Sequence, residues 1–456
     1  MKKKKRFLLY LLVTATILSC KNQISVGKTV EKKSSTPYAT EVELINLKNE
    51  GFINYKVSRY FANIAMNEFA ETNNWNNVVL SEYPIVIYNN LTDEPRYYEF
   101  RVIADDMEIG AISCAAKETE GDAVQFVLPY TLSINDKKTA RAVQAGNYKL
   151  TDARYPLSFV IKNTDTARMS DSNGREIEDD ILVDMTIKEF LSQSDELMLE
   201  DLGIDKTTAD QLIYEQNKLE AEISEYWNAI KENESIIIST TDEEILQAYN
   251  NLYGNDSSRK ITTSTSESIK LLTSWENKSK WSNPGGWCGP SCMSFITLGL
   301  GADSGYDNVP LRNSSYAINQ MYKDFEDKIG TGPKVFSQLS AGLSSLTDYK
   351  LVTDFGHFYS VISKNINNKN LPVVSLRGSK GLTADTIQWH YRTIIGTKTV
   401  TRTTKVTAFG KTLLSFKDVD NYYAIHDNGV DGPSEGYFFE SSFKLYHLWS
   451  AHVEKK

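Results

Sequence analysis

The apolar positions of this chain change period several times, and each change marks a different element. In "VSRYFANIAMNEFAE", Val57, Phe61, Ile64, Ala65 and Phe69 recur at helical spacing and predict an amphipathic helix. The runs "EYPIVIYNN", "RYYEFRVIA" and "MEIGAISCAA" follow, rich in β-branched and aromatic residues and separated by turn chemistry such as "NNLTDEP". A helix followed by a meander of strands reads as a small α+β unit, with Cys114 a buried, inert thiol in its third strand. From residue 186 to about 253 the period is helical again, with Leu212, Leu219, Ile223, Tyr226 and Ile230 on one face. "TDEE" at Thr241–Glu244 starts a further helix, and the polar stretch Gly254–Ser268 reads as a linker. Beyond it, Ser291–Leu298 predicts a short buried helix with Phe295, Ile296 and Leu298 inward. "LPVVSL", "HYRTIIG" and "YYAI" predict strands, and "FKLYHLWSAH" a closing strand or helix.

The first residues follow a different rule. Lys2–Arg6 are basic, and Phe7–Leu18 is an apolar run of 12 residues, too short to span a bilayer comfortably. This is the pattern of a targeting segment, and the polar, aperiodic residues after it read as a flexible tether. The formal charge is −9; without the five leading positive charges it is about −14. Such an acidic surface disfavours nucleic acid. Four cysteines are too few for a disulfide framework. No repeat of solenoid period, Gly-rich phosphate loop, His-Glu-x-x-His or paired CxxC occurs, so neither a metal nor an organic cofactor is expected.

The chemistry concentrates in "WSNPGGWCGPSC", which holds Cys288 and Cys292. A disulfide, half of a metal site, a packed thiol and a nucleophile are the readings it admits. Gly289 and Pro290 are turn-makers, and Pro290 suits the first turn of a helix, so Cys288 falls at that helix's N-terminal end. There, unpaired N–H groups and the positive end of the dipole stabilise a thiolate, the form that attacks carbonyl carbon. A zinc site needs about four ligands, and no second Cys/His cluster lies nearby. A bridge from Cys288 to Cys292 spans one helical turn, which strains disulfide geometry. Cys292 reads as a small core residue. A nucleophile needs a base. Of the five histidines, His390 stands out, at the head of a β-rich run that reaches Gly396. His357, His426, His447 and His452 read as surface or packing residues.

Cys-Gly-Pro at Cys288–Pro290, then "LPVVSL", then "HYRTIIG" resembles, in that order, the papain-like cysteine peptidases, especially the branch related to bacteriocin-processing (double-glycine) peptidases. The resemblance covers roughly residues 275–450. It implies an α+β fold in which a helix-borne cysteine packs on an antiparallel sheet. It also implies an Asp or Asn at the end of the strand after the histidine, where Asp427 and Asn428 stand; Asp427 would orient the imidazole, with Asn428 the alternative. That family places a Gln about six residues before the nucleophile; here that position is Ser282, and the neighbouring Asn283 becomes the expected oxyanion donor. "ILSC" at Ile17–Cys20 resembles a bacterial lipobox, implying cleavage before Cys20 and a lipid on its sulfur. The first folded unit is loosely similar to the propeptide and inhibitor domains of streptopain-like peptidases.

The expected organisation is a signal peptide over 1–19, a flexible tether over 20–50 and an N-terminal α+β domain over 51–180. A helical connector over 181–254 and a linker over 255–272 lead to a papain-like domain over 273–456. The expected activity is peptide-bond hydrolysis on a peptide or protein substrate by a Cys288–His390–Asp427 triad, in a protein exported and held to the membrane through lipid. Transglutaminase-like or cell-wall amidase chemistry would use the same residues, and a binding lipoprotein that has lost catalysis is the rival from another class.

Overall fold

The computed structural model describes residues 36–177, 182–232, 234–242, 245, 260–272, 288–300, 324, 327, 335–354, 359–381, 387–408, 411–426, 437–442 and 447–456. It is a mixed α+β structure: among these residues ten α-helices flank one large, mostly antiparallel sheet of 16 strands. No described helix is long and apolar enough to cross a membrane.

The chain opens with α1 (Glu41–Asn49), inside the stretch expected to be a flexible tether. Three local causes convert that stretch into structure. Thr40 caps the helix by accepting from the Glu43 N–H; Leu44 and Leu47, three residues apart, bury one face; and Tyr38 ties the entry by donating to Glu108 at 2.8 Å. Two buried leucines in nine residues are too sparse to register as a period.

α2 (Tyr55–Phe69) is the predicted helix, capped by Asn54. It is buried nearly all round rather than along one stripe, with Tyr60, Ala62, Asn63 and Met66 inside as well as Phe61, Ile64 and Phe69. The cause is its place between two halves of the molecule. One side lies on the meander β3 (Pro95–Ala104), β4 (Met107–Ala115) and β5 (Val124–Leu128). The other meets distant parts of the chain, described below. The β3–β4 turn uses Asp105 and Asp106 at φ +47° and +64°, the left-handed pair that a tight hairpin requires. β1 (Val79–Leu80) and β2 (Ile85–Tyr88) pair with β3, and β6 (Tyr148–Thr151) joins β2 in parallel. β7 (Val160–Asn163) and β8 (Met169–Ser170) finish that edge, and α3 (Lys137–Gln144) packs on β6.

The helical connector is present as α4 (Ile187–Gln193), α5 (Glu196–Asp201), the long α6 (Lys206–Lys231) and α7 (Glu234–Ser239). On α6, Leu212, Ile223, Trp227 and Ile230 are buried, and the Trp227 indole donates to the Gly121 carbonyl at 2.8 Å. Its first residues, however, are a strand, β9 (Leu182–Met185), paired with β12 (Val373–Gly381).

The expected linker contains no loop of that length: β10 (Lys260–Leu271) pairs antiparallel along β13 (Ile387–Ala408) for twelve residues. Ser and Thr dominate β10, and a β-branched residue alternating with a small polar one is compatible with either a linker or a ladder. The partner decides. β12 pairs with β13 as far as Ile394, and β10 takes over the same edge from Gly396. Gly396 sits at a bulge, where a Cβ would lie 2.5 Å from the Lys270 carbonyl oxygen and 2.6 Å from Leu271 Cδ2. Backbone cannot yield as a flexible side chain can. Gly396→Ala is therefore expected to destabilise by about 1–3 kcal/mol and to loosen β10 first. Urea unfolding gives the magnitude, and hydrogen exchange at Ile269–Leu272 shows whether β10 is the element released.

β14 (Lys411–His426) lies on the far edge of β13, then β15 (Phe438–Ser441), while β16 (His447–Lys455) and β11 (Tyr349–Asp354) extend the sheet beyond β12. β15 pairs with β5, so the strands of the first unit and those of the last are one sheet. α8 (Cys288–Leu300), α9 (Phe336–Leu346) and α10 (Tyr359–Lys369) cover the C-terminal half.

Candidate functional site

Cys288 is the first residue of α8 and is half-buried, while Cys292, one turn on, is completely buried with Met293 and Ile296. Among the described residues, Cys114, Cys288 and Cys292 are free thiols, so the disulfide alternative is not formed. Gly289 brings the start of α8 close to its neighbours: a Cβ there would stand 2.9 Å from Leu339 and 3.3 Å from the Tyr391 ring. This close approach sets the sulfur against β13, and Cys288 Sγ donates to the Trp389 carbonyl oxygen at 3.9 Å. The thiol expected to be nucleophilic thus abuts the backbone of the residue before His390.

The alternation of β13 then matters. Tyr391 faces α8 and α9, with its ring 5.3 Å from that of Phe336 and against Gly289. Successive side chains of a strand point to opposite faces, so the His390 Cβ points away from Tyr391, on the side of Arg392. Across the ladder His390 stands directly opposite Arg377, whose guanidinium pairs with Asp184 of β9. Arg392 is wholly buried and held by Glu440 of β15 through two hydrogen bonds, at 2.8 and 3.2 Å. The sulfur and the strand of His390 are therefore brought together, while alternation starts the His390 side chain on the face of the strand that carries Arg392.

The other histidines separate by geometry. His426 is buried and stacks on Phe295 at 3.8 Å, on the α8 side of the sheet. Phe295 is seven residues past Cys288, about 10 Å along the helix, so of the two places its sequence position allowed, near the site or in the packing, His426 takes the packing. His452 hydrogen-bonds to Asp354 at 2.7 Å across β16 and β11. Asp427, Asn428, Asn283, His357 and Cys20 lie outside the described residues. β14 is described to His426, which pairs with Thr393, three positions from His390.

Burial pushes the Tyr391 hydroxyl well above the ordinary phenol range, and the two α8 thiols add to the effect, so Tyr391 stays neutral beside the sulfur. Burial likewise raises the Cys114 thiol far above its usual range, in keeping with its reading as an inert residue. Among the described residues no group of three or more His, Cys, Asp or Glu is arranged to hold a metal ion.

Sequence reasoning missed Arg377, Asp184, Arg392 and Glu440. A signal existed in part: an arginine inside the apolar runs "PVVSLRGS" and "HYRTIIG" is a charge in a buried strand, which requires a partner. Which carboxylate answers it is a tertiary fact. No protein-family model matches the chain, and no curated protein matches it either.

Proposed function

We propose that this protein is a cysteine peptidase in which Cys288 is the nucleophile. The observation that carries the reading is the placement of a free, half-buried thiol at the N-terminus of α8, in contact with the backbone beside His390. Orphan N–H groups at a helix start favour a thiolate and would also receive a developing oxyanion. In the proposed reaction Cys288 passes its proton to His390 while sulfur bonds to the substrate carbonyl carbon. The tetrahedral adduct collapses as His390 returns that proton to the leaving amine, leaving a thioester. Water, deprotonated by His390, attacks the thioester, releasing the carboxylic acid and restoring the thiol. Asp427 accepts the second imidazole N–H, and Asn283 supplies an oxyanion donor beside the Cys288 N–H. The lipobox-like "ILSC" supports an exported, lipid-held protein with Cys20 as the anchor point.

The alternation of β13 favours a second reading: a binding module with this architecture and no hydrolysis, because the sulfur's hydrogen bond goes to a carbonyl and the imidazole starts on the other side of the strand. One experiment separates the two. The full chain is treated with a thiol-directed epoxide at neutral pH, and adducts are mapped over time. For a peptidase, Cys288 is labelled selectively, and His390→Ala slows that labelling at least about a hundredfold. Slow labelling of Cys288 that is indifferent to His390 would leave the binding module. Cys114 and Cys292, both fully buried, should remain unmodified in either case.

A further inference from the structure

Among the described residues, one buried lysine is not used by the proposed chemistry. Lys398 lies on β13 with its side chain fully excluded from solvent. Its ammonium donates at 2.8 Å to the Glu68 carbonyl oxygen and at 2.8 Å to Thr72 Oγ1, and pairs with Glu267 of β10 at 2.8 Å. It also stands 4.1 Å above the Phe69 ring. Glu68, Phe69 and Thr72 are the C-terminal end of α2 and the residues just after it. There carbonyls lack helical partners and carry partial negative charge, so a cation is stabilised. A lysine near the end of the chain therefore caps a helix near its beginning, with three protons and three acceptors matched.

The surrounding contacts run in the same direction. Val127 and Phe126 of β5 pair with Phe439 and Glu440 of β15. Phe69 meets Tyr422 and Phe439 edge to face at 5.0 and 4.9 Å. Ser441 donates to Asp122 at 2.7 Å, and Arg59 of α2 binds Asp242 through both carboxylate oxygens at 2.5 and 2.6 Å. A segment made to be removed must leave a folded remainder. Removing residues 36–177 here would strip β15 of a sheet partner, open Tyr422 and Phe439 to water, and leave a buried ammonium without two of its three acceptors.

We propose that residues 36–177 are a resident subunit keyed into the C-terminal half by Lys398, not a removable pro-segment, so that a cut between the halves leaves them joined. This holds whether or not Cys288 is a nucleophile. The test inserts a specific protease sequence between Ile177 and Leu182 of the full chain and cuts it under native conditions. The two fragments are expected to co-elute on size exclusion and to part only in denaturant. Lys398→Met in the cut protein is expected to weaken their association at least about a hundredfold, and the milder Thr72→Val about tenfold. Fragments that part in buffer alone, or an association unchanged by both substitutions, overturn the proposal. Epoxide labelling of Cys288 before and after the cut reports on the functional reading separately.

Discussion

Glu440→Gln is expected to destabilise the protein by about 3–5 kcal/mol, among the largest losses from any single substitution outside the aromatic core. Arg392 and Glu440 are both fully excluded from water and share two hydrogen bonds. The amide keeps the shape of the carboxylate but removes its charge, depriving a guanidinium in a dry interior of the Glu440 counter-charge. The cost is the desolvation of that uncompensated charge, and it exceeds the modest net value of the pair itself. Arg392→Met combined with Glu440→Leu removes both charges and is expected to recover most of the loss. Urea midpoints for Arg392→Met, Glu440→Leu and the double variant form the cycle. A double variant as unstable as Glu440→Gln would mean that the pair contributes through something other than mutual neutralisation. Glu440 also faces Phe126 across the β5–β15 pairing, so its loss should loosen the junction of the two halves before the outer strands.

Phe69→Ala should cost a similar amount, about 3–5 kcal/mol. The ring is completely buried, with Tyr422 and Phe439 edge-on to it and the Lys398 ammonium over its face. Truncation removes the buried ring, leaves a cavity that rigid aromatic neighbours fill poorly, and deletes a desolvated cation–π contact. Phe69→Leu restores much of the volume but neither ring contact, so it should recover part of the loss and not all of it. Equilibrium unfolding followed by near-ultraviolet circular dichroism tests this, because Tyr422 contributes to that signal. A loss below about 1.5 kcal/mol for Phe69→Ala would show that this junction repacks freely.

The elements whose cause is local were readable from the residues. α2 announces itself by apolar residues at helical spacing, β2, β3, β4 and β12 by runs rich in β-branched, aromatic or other apolar residues, and Cys288 could be placed at a helix start from Gly289 and Pro290. α1 and β10 were not readable. α1 buries two leucines, and β10 has no apolar face of its own to signal; it is a strand because β13 offers twelve residues of unpaired edge.

The candidate site divides in the same way. That Cys288 begins a helix and His390 sits in a strand follows from the sequence, because capping, turn chemistry and periodicity act over a few residues. That the sulfur meets the Trp389 carbonyl, that His390 alternates toward Arg377, and that the first unit shares a sheet with the last were decided by tertiary structure alone. Register, the choice of partner for a buried charge and the burial of Lys398 under α2 depend on contacts between residues tens to hundreds of positions apart, and no local pattern encodes which partner arrives.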